Sequence, residues 1–172
     1  MRAQLFWLRA QLYGVSHGFV STSEARELQL SVQTFVRTFG LLVTKQTPCG
    51  QPVSPSYAHA LMRLLEREAA GLITLQTELA EELGLDKSSI ARLCSRLEAD
   101  ERISQKPGAD DGRSRQLELT ARGRKLATNI HAASLQRFSR VLEAIPAAKR
   151  RGVLGALELL THAVATLGEE QT

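Results

Sequence analysis

A mainly α-helical chain carrying one small β-hairpin is what the sequence predicts, on three observations. Most of the 172 residues fall into segments whose apolar residues recur three and four positions apart. Two short strand-like runs, Ile103–Lys106 and Arg113–Leu119, flank a cluster of turn formers, Pro107-Gly108-Ala109-Asp110-Asp111-Gly112. Aromatic residues make up only 5% of a chain that is 43% hydrophobic, so its core is built of Leu, Ala, Val and Ile.

The elements follow in order. Leu5, Leu8, Leu12, Val15 and Phe19 give an amphipathic helix over 2–18, weakened by Gly14 and Gly18. Ser21, with Glu24 at capping-box spacing, starts a second helix with the stripe Leu28, Val32, Phe35, Val36, Phe39 and Leu42. Residues 44–55 hold three prolines and a glycine and form a loop. Ser54-Pro55 is an N-cap followed by proline at the first helical position, and that helix runs to Ala70-Gly71. Leu72-Ile73-Thr74 is a short strand. A helix at 75–83 stops at Gly84, and Asp86 caps the next one, which runs to Asp100. After the hairpin, Thr120 caps a long helix with the stripe Leu126, Ile130, Ala133, Val141, Leu142 and Ile145. Pro146 ends it and opens the last helix, along which Val153, Leu154, Leu157, Leu160, Val164 and Leu167 recur.

Bulk properties narrow the function classes. Two cysteines without CxxC spacing, Cys49 and Cys94, argue against a disulfide framework and fit a reducing cytoplasm. Gln4, Arg9, Gln11 and His17 interrupt the apolar residues at the N-terminus, and no run approaches the roughly 18 residues of a membrane span. The net charge of +4 favours a polyanionic partner, and most of the excess is local. Between Asp86 and Lys125 stand ten Lys and Arg against seven Asp and Glu. No P-loop, Gly-x-Ser-x-Gly or His-Glu-x-x-His is present, so no enzyme and no cofactor are expected. His17, His59, His131 and His162 show no metal spacing.

Leu75–Asp100 has the form of a helix-turn-helix. In its second helix Ile90, Leu93, Cys94 and Leu97 share one face at 100° per residue, which turns Ser88, Arg92 and Ser95 directly outward, with Ser89 and Arg96 flanking them. Small hydroxyls and arginines on an exposed stripe suit the DNA major groove, where Arg pairs with guanine O6 and N7. Lys87, near that helix's N-terminus, and Gln76 and Thr77, at the start of the first helix, are expected at phosphates. A hairpin directly after a helix-turn-helix is a wing. Arg113 on its tip, with Arg115 beside it, is expected in or beside the minor groove, and Asp111 is expected to hold the Arg113 guanidinium. The plainer alternatives are a helical hairpin with a solvated polar face and a surface turn with incidental charges.

The run from Leu72 to Lys125 resembles the MarR family of winged-helix regulators. Four stretches carry the resemblance: Glu78-Leu79-Ala80, Leu85 to Leu93, Asp111-Gly112-Arg113-Ser114, and Leu119-Thr120-Ala121-Arg122-Gly123. It implies a winged helix-turn-helix at 55–120, flanked by dimerisation helices at 21–54 and 121–172 and preceded by an extra helical extension at 1–20. It further implies a homodimer on a pseudo-palindromic double-stranded DNA operator, with a small-molecule effector that releases it, as in a ligand-responsive repressor. Two rival readings remain open: a winged-helix protein-interaction module without DNA binding, and a regulator triggered by redox chemistry or a metal. Cys94, on the buried face, is expected to pack as a small hydrophobe, and Cys49 to be more exposed. The ligand-binding residues are not legible.

Overall fold

The computed structural model describes residues 20–42, 45–108 and 114–169. The helix predicted at 2–18 lies outside the described residues, as do Asp111, Gly112 and Arg113 of the predicted wing tip. The chain divides into two compact units, Met1–Leu42 and Val43–Thr172.

In the first unit, helix α1 spans Thr22–Phe39. Its start is the predicted capping box: the Ser21 hydroxyl accepts from Glu24 N at 3.2 Å, and the Glu24 carboxylate accepts from Ser21 N at 2.9 Å. Gly40, left-handed at φ 85°, ends it. The predicted apolar stripe is present, with Phe35 and Phe39 stacked at 5.3 Å between ring centroids. No residue of α1 is buried, however, and Leu28, Val32 and Phe35 remain exposed.

The second unit holds α2 (Pro55–Ala69), β1 (Thr74–Leu75), α3 (Gln76–Leu83), α4 (Lys87–Ala99), β2 (Ile103–Pro107), β3 (Arg115–Leu119), α5 (Ala121–Glu143) and α6 (Ala147–Glu169). The strands form one antiparallel sheet in the order β1-β3-β2. Ile103 lies opposite Leu119 and Pro107 opposite Arg115, so β2 and β3 make a hairpin, and Thr74 pairs with Leu117. The first strand therefore falls later than the Leu72-Ile73-Thr74 expected from apolarity: Leu72 and Ile73 are exposed and Thr74 is buried. Pairing with β3 sets this register, and the local sequence cannot report it.

One core joins these elements. Ala58, Leu61 and Leu64 of α2 pack with Leu79 of α3, Ile90, Cys94 and Leu97 of α4, Ile103, Leu117 and Leu119 of the sheet, and Ala127 and Ile130 of α5. Beyond Ile130 nothing on α5 is buried, and α6 packs extensively on no other described element. Phe138, Leu154, Leu157 and Val164 are all exposed. Pro146 stands just outside α6, where its carbonyl accepts Lys149 N at 2.8 Å.

The two thiols differ in setting. Cys94 is fully buried, and burial pushes its thiol up to about 11, while Cys49 is only part-buried in the 45–54 loop. A thiol reagent at pH 8 is therefore expected to titrate Cys49 in the native protein and Cys94 only in denaturant. Two fast native thiols would contradict the burial of Cys94.

Candidate nucleic-acid interface

The helix-turn-helix is built by local chemistry. Gly84 takes the left-handed conformation, φ 61°, which a side chain resists, and this lets the chain leave α3 and turn into α4. Leu85 N closes the turn on Ala80 O at 2.9 Å. Asp86 then caps α4 with both carboxylate oxygens: Oδ1 accepts from Ser88 N at 2.8 Å, Ser88 Oγ at 2.7 Å and Ser89 N at 2.9 Å, and Oδ2 accepts from Ser89 Oγ at 2.6 Å.

These bonds, the Ser89 and Ser88 hydroxyls foremost, hold the Asp86 carboxyl well below the usual carboxylate range. A depressed folded-state value means that the stabilisation is complete above the unfolded value near 3.8 and is lost as pH falls toward the lower folded value. Asp86→Ala is therefore expected to lower the melting temperature at pH 7, with the gap to wild type narrowing steadily below pH 4. A gap of constant size from pH 7 to the acid limit would refute the capping account.

The outward face of α4 is as the spacing predicts. Ser88, Arg92 and Ser95 are exposed, Ser89 is half-buried, and Lys87 is exposed in the first turn. Both serine hydroxyls donate to Asp86, which leaves them their lone pairs, and Ser89 Oγ accepts from the Arg92 guanidinium at 3.2 Å. Gln76 and Thr77 open α3, half-buried and exposed respectively. Arg115 is exposed at the start of β3, on the hairpin that leads to Arg113 and Asp111. Arg96 is exposed too, with its guanidinium 5.8 Å from the Tyr57 ring centroid.

A second feature escaped the sequence reading. Arg67 of α2 donates to Thr74 Oγ1 at 3.0 Å, Ile73 O at 2.7 Å and Glu82 Oε1 at 2.8 Å, and it also pairs with Glu78. Arg63, one turn earlier, donates to Glu82 Oε2 at 2.8 Å. These bonds bracket α3 against α2 and so fix the base on which α4 is set. Arg63 and Arg67 stand four apart on one helix, as do Glu78 and Glu82 on the other. Two matching rows of opposite charge were the available signal. Lys106 and Glu118 pair across the hairpin at 2.6 Å, and Arg124 ties α5 to Glu68 of α2 at 2.7 Å.

Fold and face together define a winged helix-turn-helix protein. Residues 51–114, which span α2 through β2, match the model of the MarR family, so the resemblance read from the sequence holds for the segment carrying the helix-turn-helix. Comparison with curated proteins gives no sequence match. Among solved structures, the chain is similar to a MarR transcriptional regulator from Methanosarcina mazei Go1, with TM-score 0.63 and 17% identity over 82% of this chain and 99% of that one. It is similar to S. aureus MepR in its DNA complex, with TM-score 0.59 and 16% identity over 86% and 99%. It is also similar to PcaV from Streptomyces coelicolor with its natural ligand, with TM-score 0.55 and 22% identity over 86% and 99%. The fold is thus that of MarR-type winged helices, and the family match supports a DNA-binding transcriptional regulator. No helix among the described residues is long and apolar enough to cross a membrane.

Proposed function

We propose that the protein is a ligand-responsive repressor that binds a pseudo-palindromic operator as a homodimer in the cytoplasm. The observation that carries this reading is the exposed Ser88-Arg92-Ser95 stripe on a helix held rigid by its cap and by the core beneath it. Arg92 and Ser95, with Ser88 and Ser89, read the major groove, and Arg96 grips beside them. Lys87, Gln76 and Thr77 take phosphates. Arg113, supported by Asp111 and flanked by Arg115, enters the minor groove. The exposed apolar stripes of α1, α5 and α6 are covered by a second copy, which sets two recognition helices about 34–36 Å apart, one DNA turn. MepR was solved in complex with DNA and PcaV in complex with its natural ligand. The same two partners, one releasing the other, are assigned to this chain. An interaction module would present a neutral or apolar face, and the arginines of α4 oppose that alternative.

The test is a titration of wild type and Arg113→Ala against duplex DNA from the chain's own upstream region. Wild type is expected to bind with a Kd of roughly 10 nM or tighter at physiological salt. The variant is expected to stay dimeric and to bind about tenfold more weakly. Absence of binding by wild type would refute the function. Affinity of the variant within about twofold of wild type would refute the role of the wing.

A further inference from the structure

Arg96 differs from four arginines around the helix-turn-helix. Arg63, Arg67, Arg122 and Arg124 each take a carboxylate. Among the described residues, the Arg96 guanidinium takes no hydrogen bond and no ion pair. It does have a carboxylate in reach of its spacing, since Asp100 stands at i+4, where helical ion pairs form. Asp100 Oδ2 instead accepts the Tyr57 hydroxyl at 2.9 Å, and the guanidinium lies over the Tyr57 ring. Tyr57 thus supplies a face for the cation and holds one oxygen of the carboxylate at i+4.

The ring is a fixed platform. Tyr57 is only 3% exposed, it belongs to α2 and not to α4, and its hydroxyl is anchored on Asp100. A guanidinium drawn to an aromatic face by its charge alone keeps its N–H donors open, and open guanidinium donors receive phosphate oxygens. Position on the helix points the same way. At 100° per residue Arg96 lies about 70° from the middle of the Ser88-Arg92-Ser95 stripe, on the flank of α4. A helix seated in the major groove turns its outward stripe to base edges and its flanks to the sugar-phosphate walls.

We infer that Arg96 is a phosphate clamp rather than a base reader, and that Tyr57 is the positioning residue that holds it ready without touching DNA. This rests on the DNA-binding function proposed above. It assigns Arg96 to the part of affinity that is independent of sequence and sensitive to salt.

The experiment is fluorescence-anisotropy titration of the full-length dimer with an upstream-region duplex and a scrambled duplex, across a salt series. The proteins are wild type, Arg96→Ala, Tyr57→Leu, the double variant and Tyr57→Phe. Arg96→Ala is expected to weaken both duplexes by the same factor, about tenfold, and to reduce the slope of log K against log salt by about 0.9. Tyr57→Leu is expected to weaken binding about threefold in the wild-type background and to have no further effect in the Arg96→Ala background. Tyr57→Phe, which keeps the ring, is expected to keep the slope. Should Tyr57→Leu lose helical content by circular dichroism, Arg96→Lys serves in its place. That exposed change keeps the charge and loses the planar, forked guanidinium, so it is expected to retain the slope with about threefold weaker binding. A change in the ratio between the two duplexes on Arg96→Ala would make Arg96 a base reader and overturn the inference. So would additive effects of Tyr57→Leu and Arg96→Ala, or full retention of affinity by Arg96→Lys. Failure of wild type to bind either duplex is a separate result, which removes the underlying function itself.

Discussion

Replacing Gly123 with alanine is expected to destabilise the protein by about 3 kcal/mol or more, lowering the melting temperature by roughly 10 °C. The reason is steric and lies in the backbone. A Cβ built on Gly123 would stand 1.8 Å from the carbonyl oxygen of Arg102 and 2.7 Å from its carbon. That carbonyl cannot step aside cheaply, because it accepts Thr120 N at 3.0 Å and Thr120 Oγ1 at 3.2 Å. Thr120 in turn caps α5 through Gly123 N at 3.0 Å. The missing side chain thus allows the start of α5 to rest on the turn between α4 and β2. Gly152→Ala in α6, where a Cβ meets nothing within 4 Å, is the control. It is expected to leave the melting temperature unchanged or raise it slightly through helix propensity. Thermal melts by circular dichroism decide the matter, and a loss of under about 2 °C for Gly123→Ala would show that the contact is not tight.

Leu157→Asp is expected to convert the proposed dimer to monomer at micromolar concentration and to weaken operator binding more than about a hundredfold. Leu157 is 46% exposed in the single chain, in a stripe with Leu154 and Val164 on a helix that packs extensively on no other described element. Long helices carrying rows of uncovered Leu, Val and Phe are an apolar surface of the kind that obligate dimers bury. A carboxylate placed in the middle of that stripe is costly only when a second chain closes over it. The loss of DNA affinity follows from geometry, since a monomer engages one half-site and forfeits the effective concentration of its second recognition helix. Sedimentation velocity and the same DNA titration read both effects. A variant that stays dimeric would place the interface elsewhere, and a monomer with unchanged affinity would remove the need for two half-sites.

What could be read in advance was what local chemistry dictates. Ser21, Ser54, Asp86 and Thr120 all cap helices where their side chains and following residues predict, because a cap is decided within three residues. The inner face of α4 follows from periodicity alone, and Ile90, Cys94 and Leu97 are buried as expected. Features that depend on distant partners were not legible. The register of β1 is set by Leu117 and Gln116, more than forty positions away in the chain. The bracket of Arg67 on Glu78 and Glu82 requires α2 and α3 to be placed first. The contact between Gly123 and Arg102 exists only once α5 meets the turn after α4. At the candidate site, the exposure of Arg92 and Ser95 was readable, whereas the double commitment of the Ser88 and Ser89 hydroxyls to Asp86 was not. The apolar stripe of α1 is present as the spacing predicts, with Leu28, Val32 and Phe35 exposed among the described residues.

The central claim is that this is a sequence-reading DNA binder whose grip is largely electrostatic. Its most direct test is binding of the purified protein to its own upstream duplex and to a scrambled duplex of equal length, from about 50 to 200 mM salt. A preference for the upstream duplex of at least about a thousandfold is expected, with affinity for both falling steeply as salt rises. Equal, weak and salt-insensitive binding to the two duplexes would contradict it.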